Sequence, residues 1–369
     1  MSEIGFKLMK DKDPDIRDLA TSTPIQLELF QAENLLRSNR EIYSRSIEFY
    51  DLLPKYYMGR QEHLRHSIAE QKRETLPILN REFVYAGLRY KIQVRPARVD
   101  VKIKSKNGER QEINREIYPG PREELVEEVL RKIGLEQHNA CYVNFPANKS
   151  SAAIVFTLNG LYQELSATQH TYSKDEIKEA LMVCRHCEIV ITCLDDPNQP
   201  SSSAPIFLYA HLSANGSNTA PNYVILHPLV TASIDQKTWR ISNYEQLMAH
   251  RRPLTRYLHR RLNHRYTNAS PDQPYTILLS TILRDSGAPG RKRFRKNREE
   301  VEISLTELAD ARIIKKNWRE ESVEILEKTS RRPKVVDVKY NLFAHPDFAA
   351  FMKKSHIVKN LITSEGKRQ

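Results

Sequence analysis

The sequence lacks the features of a membrane-spanning or exported protein. It contains no run of about 18 apolar residues, the length that a membrane helix needs. Its first residues, MSEIGFKLMKDKDPD, lack the apolar stretch of a signal peptide, so we expect a cytoplasmic protein. Only 4 of its 369 residues are cysteine, which favours reduced thiols in a cytosol over a disulfide framework.

Motifs that would indicate catalysis are also missing. No GxxxxGK[ST] occurs, and GAPGRK at 287–292 has the wrong spacing for a phosphate-binding loop. None of the 12 histidines forms the His-x-His metal pair of rolling-circle nucleases. His259 and His264 lie about 140° apart around a helix, which suits one metal ion poorly. We therefore expect neither an enzyme nor a bound cofactor.

Three cysteines, Cys184, Cys187 and Cys193, resemble one half of a zinc site. The second CxxC or histidine pair that would complete the site is absent from the sequence. Cys184 and Cys187 also straddle the end of a predicted helix and the start of a predicted strand. Small buried thiols therefore explain these cysteines better than a metal does.

The whole chain has a formal net charge of +12, and this positive charge is concentrated in its last third. Residues 241–369 contain 27 Lys and Arg against 15 Asp and Glu, whereas residues 1–240 contain 31 of each. Solubility alone would not concentrate charge in one region, so we expect a polyanionic partner, most commonly nucleic acid. An anionic membrane usually requires an amphipathic helix with bulky exposed apolar residues, and the sequence shows none.

Two β-hairpins are predicted before the first long helix. FVYAGLRYKIQV at 83–94 alternates apolar residues around an Ala-Gly pair. VDVKIKSKNGERQEI at 99–113 contains an Asn-Gly turn. Residues 1–45 are polar and contain DPD and TSTP turns, so they are expected to form an arm.

A helix-turn-helix pattern follows. Pro121 opens a helix in PGPREELVEEVLRKIG, which Gly134 is expected to end. AAIVFTLNGLYQELS at 152–166 predicts a strand that runs into a short helix. Ser173 and Glu176 then form a capping box for a third helix.

Strands after each set of helices complete a winged-helix plan, which is a helix-turn-helix with an attached β-hairpin. The same order recurs downstream, where Pro253 opens a helix and residues 275–287 repeat the strand and short helix. A linker near residues 230–243 is expected between the two copies. The predicted strands lie at residues 188–193, 206–212, 222–226, 322–328 and 334–340.

The third helix of the second copy begins in a basic run. Six of the eight residues from 291 to 298 are basic. On a helical wheel of about 100° per residue, Phe294, Val301, Leu305 and Leu308 form one apolar stripe. The stripe reaches back into the basic run, so the run belongs to the helix.

Cations at a helix N-terminus oppose the helix dipole and cost a few tenths of a kcal/mol each. A helix selected for stability alone would carry Asp or Glu there. The cost is understandable if phosphates or base edges bind that end, as they do in recognition helices, and arginine suits guanine and phosphate oxygens. A solvated charged face is the alternative. Ile303 lies opposite the apolar stripe, where the pattern assigns it no role; a contact with a partner is one explanation.

Twelve positions are predicted to bind DNA. In the second copy they lie on the third helix and at the tip of the predicted wing. In the first copy they lie on a third helix whose charge is balanced by acids, and this helix suits DNA or a protein interface equally. The predicted DNA-binding residues are Arg291, Lys292, Arg293, Arg295, Lys296, Arg298, Arg331, Arg332, Lys334, Lys174, Lys178 and Arg185.

Three segments resemble a known family. LPILNREFVYAGLRYKIQVRPARV at 76–99, YPGPREELVEEVLRKI at 118–133 and AAIVFTLNGLYQEL at 152–165 are similar to the first winged-helix domain of plasmid replication initiators of the RepA type. The second copy resembles their C-terminal winged helix, so the resemblance covers about residues 76–345. It implies an α+β fold of two tandem winged-helix domains, the first with extra N-terminal β-hairpins.

The expected organisation has four parts. Residues 1–75 form an N-terminal arm and helical segment, and residues 76–230 form the first winged-helix domain. Residues 240–345 form the second winged-helix domain, which carries the main DNA-binding surface. Residues 346–369 form a basic C-terminal tail.

The resemblance implies a bacterial initiator of theta-type plasmid replication. Such proteins bind tandem origin repeats, called iterons, help to melt an AT-rich stretch, and attract the host initiator and the replicative helicase. Many dimerise when they repress their own gene and so control copy number, and here a homodimer would form through the first winged-helix domain. A winged-helix transcriptional repressor that binds its own promoter is the alternative, because a basic recognition helix fits it equally well.

Overall fold

A computed structural model describes residues 43–59, 65–67, 75–104, 110–136, 139–145, 150–213, 219–236, 239–290, 293–327 and 334–365. These residues form small antiparallel sheets and α-helices. None of the helices in these ranges is long and apolar enough to cross a membrane.

The elements are numbered here in chain order. The strands are β1 (Tyr43–Ile47), β2 (Arg65–Ser67), β3 (Leu79–Tyr85), β4 (Leu88–Arg95), β5 (Ala97–Lys104), β6 (Arg110–Ile117), β7 (Ala140–Asn144), β8 (Ser150–Thr157), β9 (Glu188–Cys193), β10 (Ser202–Ala204), β11 (Phe207–His211), β12 (Pro221–Leu226), β13 (Trp239–Asn243), β14 (Tyr275–Leu278), β15 (Val323–Glu327) and β16 (Lys334–Leu342). The helices are α1 (Glu48–Leu52), α2 (Pro121–Glu136), α3 (Leu158–Ala167), α4 (Lys174–His186), α5 (Pro228–Asp235), α6 (Tyr244–Ala249), α7 (Pro253–Arg265), α8 (Leu279–Ser286), α9 (Phe294–Asp310) and α10 (Pro346–Glu365).

Two parts of the chain repeat one arrangement. In the first, helices α2, α3 and α4 accompany the sheet of order β11-β12-β8-β7. In the second, helices α7, α8 and α9 accompany the sheet of order β15-β16-β14. In both, the strand that precedes the second helix pairs with the last strand of the wing. The predicted fold, two tandem winged-helix domains in an α+β chain, is confirmed.

Local sequence explains where several of these helices begin. The Ser173 hydroxyl accepts a hydrogen bond from the Glu176 backbone N–H at 3.2 Å, and the Glu176 carboxylate accepts one from the Ser173 N–H at 2.8 Å. The predicted capping box is therefore formed at the start of α4. Pro121 and Pro253 are the first residues of α2 and α7, where the missing N–H of proline costs nothing.

Both predicted hairpins are present and build extra sheets onto the first domain. Ala86 and Gly87 join β3 to β4 with φ of 50° and 83°, the left-handed conformation of a tight hairpin turn. Strands β5 and β6 form the second hairpin, whose Asn107 and Gly108 lie outside the described residues.

Strand β9 is not part of the wing of the first domain, because it pairs with the first hairpin. It pairs with β4 over the register from Tyr90 opposite Cys193 to Arg95 opposite Glu188. The wing itself is formed by β11 and β12. The sequence shows where these strands lie but not which of them pair.

Gly134 does not end α2, so that prediction is wrong. The helix continues to Glu136, and Gly134 lies inside it. A Cβ atom at Gly134 would approach Ile154 Cγ1 to 3.1 Å, so the glycine lets α2 pack closely against β8. Tertiary packing therefore accounts for this glycine, which local chemistry presents as a helix stop.

The segments expected as a linker and as a tail contain regular structure. The linker region holds part of α5 and the whole of β13. The tail region forms α10, which buries Phe348, Ala349 and Met352 in the core of the second domain. These apolar residues draw the C-terminal segment onto the domain despite its basic composition.

The two domains exchange short segments at their junction. β1 pairs antiparallel with β13, with Arg45 opposite Ile241. Helices α1 and α6 follow these strands, and α1 contributes to both cores, since its Tyr50 packs in the core of the first domain. Leu52 of α1 belongs to the core of the second domain, whereas Tyr244 and Met248 of α6 belong to the core of the first.

Candidate nucleic-acid interface

Helix α9 begins in the basic run with its cations uncovered. Arg293 is the N-cap residue, and the first turn, which starts at Phe294, contains no acidic residue. Among the described residues, no side chain caps this end of the helix. Arg293, Arg295 and Lys296 are exposed with the first domain in place. Because these cations oppose the helix dipole, their arrangement favours binding of an anion at this end.

The opposite face of α9 anchors the helix in the second domain. Val301, Leu305 and Leu308 are fully buried, and Phe294 packs against the same core at the start of the helix. The apolar stripe predicted from the sequence is therefore the buried face, and the helix presents its first-turn cations to solvent.

Glu307 fixes α9 against the first helix of its domain. Its carboxylate accepts hydrogen bonds from the Arg251 backbone N–H at 2.7 Å and from the Thr255 hydroxyl at 2.6 Å. Both donors lie at the start of α7, so Glu307 supplies negative charge to that helix N-terminus from another element. Sequence reasoning missed this role because Glu307 and Thr255 are 52 residues apart.

Arg298, one of the predicted DNA-binding residues, is bound within the protein. Its guanidinium donates to Glu302 one turn along α9 and to Glu324 on the wing strand β15. The hydrogen bonds to Glu302 and Glu324 raise the pKa of Arg298 above its ordinary value. The side chain thus joins α9 to the wing strand β15, which positions the residues around it.

The wing is described only in part. Lys334 is exposed at the start of β16, paired in register with Glu327 of β15. The predicted wing-tip residues Arg331 and Arg332 lie outside the described residues, as do Arg291 and Lys292 in front of α9.

The predicted site residues of the first domain are divided between the two ends of α4. Lys174 lies at its first position with its ammonium 5.7 Å from the Tyr162 ring centre, and Lys178 lies 3.9 Å from Asp175. Arg185 lies in the last turn, where its guanidinium donates to the Ala210 carbonyl at 2.6 Å. The structure thus brings Lys174 and Lys178 together and assigns Arg185 to packing against β11.

A buried network of ion pairs connects the two domains. The Glu124 carboxylate of α2 accepts hydrogen bonds from Arg256 at 2.6 Å and from Arg260 at 2.5 Å, both on α7. Arg260 also lies 3.3 Å from Glu128. Burial alone would raise the pKa of Glu124, but the charges of Arg256 and Arg260 outweigh it and lower the pKa. Since all four groups are buried, removal of one leaves at least one buried charge without its partner.

A second cluster extends the network toward α1. Arg131 of α2 donates to Asp51 and to Glu127, each at 2.6 Å. The Lys55 ammonium lies 3.6 Å from Glu127 and 3.3 Å from the centre of the Tyr50 ring. Burial alone would raise the pKa of Glu127, but the positive charges of Arg131 and Lys55 outweigh this effect and lower the pKa to about 2. Burial also lowers the pKa of Lys55, to about 8.

The β3–β4 hairpin provides a third contact between the domains. Asp285 of α8 accepts hydrogen bonds from the Val84 backbone N–H at 3.3 Å and from Arg261 at 2.9 Å. Gly287, which ends α8 with φ 68°, approaches Pro54 so closely that a Cβ atom there would lie 2.7 Å from Pro54 Cβ. The first domain therefore holds the helix that precedes α9.

This docking changes the meaning of the charge asymmetry in the sequence. Arg256 and Arg260, which belong to the basic last third, pair with acids of the first domain, and Arg265 pairs with Glu48 of α1 at 3.1 Å. Part of the excess therefore complements the first domain rather than an external polyanion. One pattern in the sequence could have indicated this, because Glu124 and Glu128 share the four-residue spacing of Arg256 and Arg260.

The described residues contain no group of three His, Cys, Asp or Glu side chains placed to hold a metal ion. Cys184, Cys187 and Cys193 are buried free thiols. Burial raises the pKa of Cys187 to about 12, so it stays protonated. Their role is to pack in the core of the first domain.

Comparison with family models and with curated proteins found no match. Solved structures that are similar include two crystal structures of domains 2 and 3 of RctB, each with a TM-score of 0.44. One is 11% identical and covers 80% of this chain and 99% of that chain; the other is 10% identical and covers 83% and 99%. The Pi initiator protein in complex with iteron DNA is 10% identical, with a TM-score of 0.36, and covers 53% of this chain and 82% of that chain.

The sequence was expected to resemble replication initiators, and one of these neighbours is an initiator protein by name. At 10–11% identity the likeness is one of fold. The residues that bind a partner therefore have to be identified from this chain itself.

Proposed function

We propose that this protein is a sequence-specific DNA-binding replication initiator. The observation that carries the proposal is the N-terminal end of α9, where Arg293, Arg295 and Lys296 are exposed on the third helix of a helix-turn-helix. Recognition helices present this end to the major groove, where arginine and lysine bind phosphates and guanine. The Pi initiator, similar in fold, was solved in complex with iteron DNA, which supports the same ligand here.

Two winged helices on one chain favour direct repeats. Helices α2 and α7 hold the two domains together through the buried contacts between Glu124 and its two arginines. One protomer therefore presents two winged-helix domains to DNA in a fixed relative orientation. Successive faces of the major groove lie about 10–10.5 bp apart, which gives a site of roughly 20 bp for one protomer. Such a protein needs no symmetric partner to bind a tandem origin repeat.

The finer parts of the proposal come from the resemblance. We propose that binding to origin repeats of a plasmid promotes origin opening and recruits the host initiator and the replicative helicase in the bacterial cytoplasm. A homodimer through the first winged-helix domain would repress the protein's own gene and control copy number. No catalytic step is proposed, and nicking of supercoiled DNA with Mg²⁺ and covalent attachment of the protein would contradict this.

A nuclease-protection footprint of the full chain on DNA that flanks its own gene tests the proposal. We expect several tandem protected repeats of roughly 20 bp. A single protected inverted repeat would instead indicate a transcriptional repressor, the second candidate. No protection at any sequence would contradict DNA binding itself.

The contact of α9 with phosphate is tested by a pair of matched lysine variants. Lys296→Ala removes an exposed charge at the start of α9, whereas Lys316→Ala removes one beyond Asp310, the last residue of the helix, which lies about 21 Å from Lys296 along the helix axis. Lys296→Ala should weaken binding and lower the slope of log affinity against log salt by about one unit, because one fewer counterion is released. Equal slopes for the two variants would contradict the assignment of α9.

A further inference from the structure

The outward face of α9 carries more than cations. At about 100° per residue, the direction opposite the buried stripe is occupied by Arg295, Lys296, Glu299 and Ile303. All four side chains are exposed, and Ile303 is 39% exposed with both domains in place. An aliphatic and an acidic side chain therefore lie on the face that the proposed function directs toward DNA.

Glu299 and Ile303 are poorly suited to bind the phosphate backbone. A carboxylate is repelled by phosphate, and an isoleucine has no donor for it. Their place on the helix agrees with another role, because Ile303 lies eight residues beyond Arg295, which is about 12 Å along the helix axis. If the first turn contacts one wall of the major groove, the second and third turns extend across its floor, which is about 12 Å wide.

The chemistry of the groove floor restricts what Ile303 can bind. Among the four bases, only thymine presents an apolar group there, its C5-methyl. The carboxylate of Glu299 lies one helical turn before Ile303. A carboxylate accepts a hydrogen bond from the N4 amino group of cytosine, so Glu299 suits a cytosine next to that thymine. The pair therefore resembles base-reading residues of a recognition helix.

We propose that Ile303 is a specificity-determining residue that packs against the C5-methyl group of one thymine in the bound DNA. The inference rests on the proposed function, because α9 must enter the major groove for this contact to form. It also gives a role to an isoleucine that is 39% exposed and lies outside the core that Val301 and Leu305 help to form.

The test removes a single methyl group from the DNA. The full chain first selects its preferred duplex from a random-sequence library, and each thymine of that duplex is then replaced in turn by deoxyuridine, which lacks only the C5-methyl. For the unaltered protein, we expect one replacement to weaken binding about fourfold, the equivalent of one buried methyl group. For Ile303→Ala, the same replacement should have no effect, since the two partners of the contact act as a pair.

Ile357→Ala is the matched control, because it shortens an isoleucine that is 59% exposed on a different helix, α10. This variant should keep the full sensitivity to deoxyuridine. Equal sensitivity of Ile303→Ala and the unaltered protein at every thymine would overturn the inference. So would an unchanged DNA profile together with a change in molar mass by light scattering, which would make Ile303 a contact between protein copies.

The outcomes separate this inference from the function on which it depends. If the unaltered protein enriches no sequence from the library, sequence-specific binding itself is refuted. A second outcome is that the protein enriches a sequence for which Ile303→Ala and the unaltered chain respond equally to every deoxyuridine replacement. In that case the initiator proposal stands and the role of Ile303 is refuted.

Discussion

Removal of the Glu124 carboxylate should destabilise the protein more than any surface ion-pair variant. In Glu124→Ala, the Arg256 guanidinium, which is 1% exposed, keeps only backbone carbonyls as acceptors among the described residues, at 2.9 Å from His250 and 3.5 Å from Arg251. Arg260 keeps its contact with Glu128 at 3.3 Å. The change therefore leaves one buried cation without a carboxylate.

Breaking a buried ion pair in this way costs about 3–5 kcal/mol, because the remaining charge has lost its solvation and has no partner. The exposed pair of Arg95 and Glu188, whose side chains are 48% and 38% exposed, provides the control. Glu188→Ala should cost less than about 1 kcal/mol, since water solvates the arginine that remains.

Urea unfolding, followed by circular dichroism, measures both variants. We expect Glu124→Ala to lower the midpoint strongly and to separate one transition into two, because the network holds the domains together. Adding Arg256→Met to Glu124→Ala should restore much of the loss, since it removes the uncompensated charge and keeps the volume. A loss in Glu124→Ala no larger than that in Glu188→Ala would refute the reasoning, because it would mean that α2 and α7 are not docked.

Two further predictions concern pH and backbone conformation. Burial lowers the pKa of His250 from 6.5 to about 4 and that of His264 from 6.5 to about 3, so below pH 6.5 the unfolded chain binds protons that the folded protein does not. Stability should therefore be complete above about pH 6.5 and fall as the pH drops toward 4; an equal urea midpoint at about pH 7.5 and about pH 5 would contradict this. Gly287→Ala should lower the melting temperature by at least the equivalent of about 1 kcal/mol, because φ is 68° and the new Cβ would lie 2.7 Å from Pro54 Cβ. Gly290→Ala, where a Cβ meets no described atom within 4 Å, is its control, and equal melting temperatures would show that Gly287 is not constrained.

Much of the secondary structure follows from local patterns. The capping box of Ser173 and Glu176, the prolines at positions 121 and 253 and the Ala-Gly turn at 86–87 each involve residues close in sequence, and each appears as predicted. These features depend on hydrogen bonds and backbone angles within one turn, so no knowledge of the rest of the chain is needed.

For the candidate interface, the sequence predicted the exposed face of α9 but not the contacts of its side chains with other elements. The apolar stripe of α9 placed its cations on the solvent side, and the structure exposes Arg295 and Lys296 there. The sequence could not show that Arg298 is bound by Glu324, because that carboxylate reaches it only after β15 folds back toward the helix. Whether these residues bind DNA stays a prediction.

The sequence by itself determined two winged-helix copies, their capped helices and the face of α9 that meets solvent, because periodicity and capping act over one or two turns. Only the tertiary structure decided which strands pair, that Gly134 lies inside a helix, and that Arg256 and Arg260 bind Glu124 across more than 130 residues. Charge along a sequence shows how many cations a region contains. Which of them are neutralised depends on the acids that folding brings within hydrogen-bond distance, and in this protein folding directs part of the basic charge inward and leaves the first turn of α9 facing outward.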